Sequence, residues 1–142
     1  MALAGTHRYR AAGSSGRDAE LGTARGIMPM QMARFYRIVR TNPPTQADFL
    51  SHAALGRPLR AGAPPALIRS WVAVSAFDSE TRARAAAHTV AQRGRSLGDF
   101  IAVLEIKDDG PVSVEQSFGM GHFDLRGSAA ELLASVTTVV PL

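Results

Sequence analysis

The strongest constraint on the fold lies in the last third of the chain. Two runs of alternating side chains flank a turn that carries both glycine and proline. Phe100-Ile101-Ala102-Val103-Leu104-Glu105-Ile106 is followed by Lys107-Asp108-Asp109-Gly110-Pro111, and then by Val112-Ser113-Val114-Glu115-Gln116-Ser117-Phe118. That pattern predicts a strand, a tight connection and a strand. Pairing about a turn centred near Asp109 would set Glu105 nearly opposite Ser113, with Glu115 nearer Val103. A sheet therefore closes the fold, and the rest of the chain must supply its other strands and a covering layer.

Those pieces are readable in order. Phe35-Tyr36-Arg37-Ile38-Val39-Arg40 is β-rich and is ended by Thr41-Asn42-Pro43-Pro44, because proline has no N–H for a ladder and restricts the residue before it. Thr45 with Asp48 three residues on has the frame of a capping box, which predicts a helix through Phe49, Leu50, Ala53 and Ala54 that stops at Gly56. Pro65 suits the first turn of a short helix reaching Trp71. Trp71–Phe77 reads as a second strand, and Asp78 or Ser79 caps a helix whose alanines let it lie close on a sheet. After Gly119-Met120-Gly121, the segment His122–Arg126 puts Phe123 and Leu125 on one face and His122, Asp124 and Arg126 on the other. Gly127-Ser128 introduces a last short helix, and 135–140 is a β-branched final strand. The order predicts a single α+β domain over 34–142, with a mixed or antiparallel sheet flanked by short helices. It contains no regular βαβ repeat and no glycine-rich dinucleotide loop.

Residues 1–33 lack apolar periodicity, recur in glycine and serine, and predict a flexible arm that a protein partner would order. Residues 1–34 hold five arginines against Asp18 and Glu20, whereas the remaining 108 residues have 11 basic and 10 acidic side chains. The arm is therefore basic and the domain close to neutral, without the concentrated patch that nucleic-acid binding asks for. Cysteine is absent, which removes disulfides, thiolate catalysis and zinc sites that need sulfur, and no metal is expected. That composition fits the cytoplasm, and no apolar run approaches the length of a membrane span.

Six residues are candidates for chemistry. His122 shares a strand face with Asp124, an arrangement that suits a general base. Arg37 lies inside the first strand on the side of Phe35 and Val39, where a guanidinium needs a counter-charge from a carboxylate or a bound phosphate. Tyr36 neighbours it on the opposite face. Ser75 is a hydroxyl in mid-strand, Trp71 is a core anchor or a ring for stacking on a flat ligand, and Glu115 is a carboxylate on a late strand.

The strand Phe35-Tyr36-Arg37, the serine strand Val74-Ser75-Ala76-Phe77, the alanine-rich helix and the late glutamate follow one another in an order that resembles the ADP-ribosyltransferase superfamily, including its RES-type toxin domains. The resemblance implies an NAD-binding cleft in a split antiparallel sheet. It implies that Arg37 holds a phosphate of NAD, that Ser75 orients the nicotinamide side, and that Glu115 stabilises the oxocarbenium-like centre or activates the acceptor. The chain departs from the pattern in lacking a full serine-threonine-serine motif and in having Ser113 two residues before Glu115. The segments Thr41-Asn42-Pro43-Pro44-Thr45 and Gly121-His122-Phe123 also resemble a small bacterial family of unassigned function. Two functions are thus expected in competition. One is NAD-consuming ADP-ribosyl transfer or NAD hydrolysis. The other is a non-catalytic protein-binding or assembly module that uses the basic arm and a sheet edge.

Overall fold

The computed structural model describes residues 32–117 and 119–142. The expected arm therefore lies outside the described residues, except for its last two positions, which already belong to the first strand. The elements are β1 (Met32–Val39), a 3-10 turn (Gln46–Phe49), α1 (Pro65–Trp71), β2 (Val74–Phe77), α2 (Glu80–Gln92), β3 (Phe100–Lys107), β4 (Ser113–Gln116), β5 (His122–Arg126), α3 (Ala129–Ala134) and β6 (Val136–Pro141). All six strands form one antiparallel sheet in the order β4-β5-β2-β1-β3-β6, so the domain is α+β.

Local signals account for most boundaries. Ser79 Oγ accepts from Arg82 N and starts α2. Ser128 Oγ accepts from Glu131 N while Glu131 Oε1 accepts from Ser128 N, a complete capping box for α3. The predicted helix after Thr45 is cut to one 3-10 turn. The Asp48 carboxylate does accept from Thr45 N, but it also accepts from Arg40 N and from Thr41 Oγ1, which ties the turn back to the end of β1. Leu50 is then extended, and Ala53 N bonds to the Trp71 carbonyl instead of continuing a helix.

The expected hairpin of β3 with β4 does not form. β3 pairs with β1 over eight residues on one side and with β6 on the other, whereas β4 pairs with β5 at the opposite edge. Glu105 faces Arg34, with which it makes a 3.0 Å ion pair, and Ser113 faces Arg126. The physical reason is burial. Ile101, Ala102, Val103 and Leu104 are all buried, so both faces of β3 are covered and it belongs in the centre of a sheet. β4 buries only Val114 and suits an edge.

Two apolar layers hold the sheet. On one face Phe35, Val39, Phe49, Val74, Ala76, Leu104, Leu125 and Leu132 form the main cluster. Ile106 from β3 and Val112 and Val114 from the β4 side share that cluster, so the sheet curls around it. On the other face Ile38 and Ile101 pack against Ala83 and Ala87 of α2. Among the described residues no helix is long and apolar enough to cross a membrane.

One seam in the sheet is weak. β1 and β3 are in register from Met32↔Lys107 to Val39↔Phe100, but β1 and β2 share the single pair Tyr36↔Phe77. Beyond that pair the two strands part, leaving a split with backbone groups that the ladder does not satisfy.

Candidate functional site

The split opens into a cleft of about 490 Å³, within the range of roughly 300–1,000 Å³ usual for ligand pockets. Its floor is the sheet at Ile38, Ser75, Phe77, His122 and Asp124, and its walls are α1 and α2. A loop carrying Leu50, Ser51, His52 and Arg57 closes a further side.

Arg37 fills the split. Its Nη1 donates to the Ser75 carbonyl at 2.7 Å and its Nε to the Asp48 carbonyl at 2.9 Å. The guanidinium thus replaces the missing β1–β2 ladder bond, and its carbon lies 5.9 Å from the centre of the Phe49 ring. Burial pulls its pKa down to about 10, and the Asp48 charge opposes that only in part. Asp48 itself is held below the ordinary carboxylate range. Burial raises its pKa, but hydrogen bonds from Thr41, Arg40 and Thr45, with the nearby charge of Arg37, outweigh that.

Arg40 and Arg57 also line the cleft. Arg40 Nη2 donates to the Ser96 carbonyl, and Arg57 Nη1 bonds to His52 Nδ1 at 2.8 Å. None of the three cleft arginines is ion-paired with a described carboxylate, although Arg34, Arg69, Arg82, Arg84 and Arg126 all are. The acid in the lining is Asp124, which is buried and accepts from Ser70 Oγ at 2.6 Å. The cleft therefore carries excess positive charge at its mouth and one carboxylate on its floor.

Flat rings and aliphatic side chains supply the rest of the surface. Trp71, at the end of α1, stacks on His52 with centroids 4.4 Å apart, and its Nε1 donates to the Arg57 carbonyl. Burial, with Arg57 and Arg37 nearby, lowers the His52 pKa. The His122 ring meets Phe77 edge-on at 5.2 Å. Its pKa is lowered by burial, against a smaller opposing effect of Asp124, so the imidazole is neutral at pH 7.

Of the six sequence candidates, Arg37, Ser75, Trp71 and His122 meet in this cleft. Ser75 is exposed into it and pairs across the strands with Asp124. Tyr36 and Glu115 lie outside the lining. Tyr36 packs with Ile38 and Ala83 on the α2 face. Glu115 pairs with Arg126 and lies 3.8 Å from Arg69 Nε of α1. Asp124, Arg40, Arg57 and His52 were not singled out as site residues in the sequence. For Asp124 the one signal is its shared strand face with His122; its burial and its bond to Ser70 of α1 arise only in the tertiary fold. For Arg57 and His52 there is none, because only the tertiary fold brings their loop onto Trp71. Among the described residues no cluster of histidine and acidic side chains could hold a metal ion. No family model, no curated protein and no solved structure matches the chain.

Proposed function

We propose that the cleft binds NAD and breaks its nicotinamide–ribose bond, releasing nicotinamide and passing ADP-ribose to water or to a target. The observation that carries this reading is a set of three arginines around one cleft, none of them in an ion pair with a described carboxylate, with Asp48 offsetting the burial of Arg37 only in part. Burying the Arg37 guanidinium is costly where its counter-charge offsets burial only in part, and a pyrophosphate supplies two negative charges that guanidinium groups can bind through their N–H donors. Arg37 and Ser75 meet at the split, which supports the resemblance to the ADP-ribosyltransferase superfamily in the roles it gives to phosphate and nicotinamide, whereas the late glutamate Glu115 lies outside the cleft lining.

In this reading Arg37, with Arg57 and Arg40, takes the pyrophosphate, and the His52–Trp71 pair offers a flat surface to a base. Ser75 faces the nicotinamide ribose. As the glycosidic bond breaks, its electron pair leaves with nicotinamide and positive charge spreads over the sugar. A carboxylate facing that charge stabilises the transition state more than the ground state. Asp124 fills that role better than Glu115, because Asp124 is on the cleft floor whereas Glu115 is spent on Arg126 and Arg69.

The test is nicotinamide release from NAD, followed by chromatography. The wild-type protein should release it, and Asp124→Asn should lower the rate by about 10²–10³, in line with removing one preorganised charge stabiliser. A folded wild-type protein that neither binds NAD nor releases nicotinamide would refute the proposal.

A further inference from the structure

At the β4–β5 turn Ser117 and His122 form a serine–histidine pair. Ser117 Oγ is bonded to His122 Nδ1, and the same hydroxyl donates to the His122 carbonyl at 3.3 Å. Ser117 N donates to that carbonyl too, at 3.0 Å, so the serine is fixed against the histidine. A serine hydroxyl has one hydrogen. If it goes to the carbonyl, the hydrogen between Oγ and Nδ1 belongs to the imidazole. Nε2 then carries the lone pair and is the ring nitrogen that the serine does not engage. Phe77 holds the ring edge-on, and His122 lines the cleft two residues before Asp124.

We infer that His122, positioned by Ser117, is the general base that accepts the proton of a water molecule attacking the ribose, so that the cleft hydrolyses NAD. This rests on the NAD reading above and adds the second half of the reaction. The C1′–nitrogen bond breaks and its electron pair leaves on neutral nicotinamide. The water oxygen forms the new C1′–O bond, and one of its protons moves to His122 Nε2 and then to solvent. The products are nicotinamide, ADP-ribose and a proton. The neutral state that burial imposes on His122 is the state a base needs. The charged groups around the ring are Asp124 on its own strand and the Asp78–Arg82 pair packed against Gly121, so the limb they set in a pH profile is shared and has to be assigned by substitution.

The experiment measures kcat and KM for nicotinamide release from NAD between pH 4.5 and 8, for wild type, His122→Gln and Ser117→Ala, with each variant's fold checked by its melting curve. Wild type should lose kcat on an acidic limb centred below the ordinary histidine value of 6.5. His122→Gln should lower kcat by about 10²–10⁴ with little change in KM and should abolish that limb. Ser117→Ala should keep the limb but move it and lower kcat less. Methanol added to the assay should divert product to methyl ADP-ribose in wild type. A folded His122→Gln that keeps kcat, or an acidic limb that survives in it, overturns the base assignment while leaving NAD cleavage intact. Product attached to the protein in place of free ADP-ribose overturns hydrolysis. A wild-type protein without nicotinamide release overturns both this inference and the NAD reading.

Discussion

Replacing Arg37 by methionine separates the role of this side chain in the fold from its role in the cleft. Methionine keeps much of the length and the apolar stem but removes the charge. At neutral pH the guanidinium is charged in both folded and unfolded chains. A pKa lowered to about 10 means that burial, net of the attraction of Asp48, works against the charged form by roughly 3 kcal/mol, at about 1.36 kcal/mol per pH unit. Arg37→Met removes that cost. It also removes two hydrogen bonds from a charged donor, to the Ser75 and Asp48 carbonyls, each contributing roughly 1.5–3 kcal/mol. The two effects largely offset, and the variant should be destabilised by about 0–3 kcal/mol in urea unfolding. Binding has no such compensation. Losing one charged hydrogen bond to a phosphate should weaken NAD by about 10- to 150-fold in titration calorimetry. A folded Arg37→Met protein with wild-type NAD affinity would refute the argument. So would a loss far above 3 kcal/mol with unchanged affinity, since the arginine would then be a strut of the split sheet and nothing more.

Other consequences can be checked in the same way. Glu115→Gln should lower stability by about 1–3 kcal/mol through its broken pairs with Arg126 and Arg69, with a nicotinamide-release rate within threefold of wild type; a collapse of the rate would return the catalytic role to Glu115. Gly98→Ala should cost roughly 2–4 kcal/mol in unfolding free energy, because φ is +152° and a Cβ would sit 2.6 Å from the Val39 carbonyl carbon; a neutral substitution would show that the 93–99 loop can move away from β1. The histidine pKa shifts give a sign to the pH dependence. His122 and His52 both titrate lower in the fold than the ordinary 6.5, so the unfolded chain takes up protons first and stability should fall as pH drops through about 6.5. Asp48 adds a second loss below 3.8, where the unfolded carboxylate is protonated before the folded one. Urea midpoints that rise between pH 7 and 5 would contradict this.

The legibility of the fold follows the range of the interactions. Pro65, Ser79 and Ser128 mark their helices because a cap or a first-turn proline acts within one turn of chain, and α1, α2 and α3 start where those residues stand. The strand positions are nearly as plain, since alternation is local, except that the strand expected over Trp71–Phe77 begins only at Val74, because the helix from Pro65 runs on through Trp71. The pairing is not. The Lys107–Pro111 turn invites a hairpin, but β3 is apolar on both faces and takes β1 and β6 as partners, which no turn residue records. The site divides along the same line. Arg37, Ser75, Trp71 and His122 stand out as polar or aromatic residues in strands or at a helix end, and the fold gathers them. The resemblance puts the carboxylate on Glu115, the late glutamate. In the sheet it is tied to Arg126 and Arg69, and Asp124, one strand over and paired with Ser75, holds the floor of the cleft.

The most direct test of the account is an amide chemical-shift titration of the protein with NAD. The account predicts saturable shifts confined to the cleft, at Ser75, Trp71, His122 and Asp124 and in the His52–Arg57 loop, and abolished in Arg37→Met. Absence of shifts at millimolar NAD, or shifts that map to the β4 or β6 edge and persist in that variant, would contradict it.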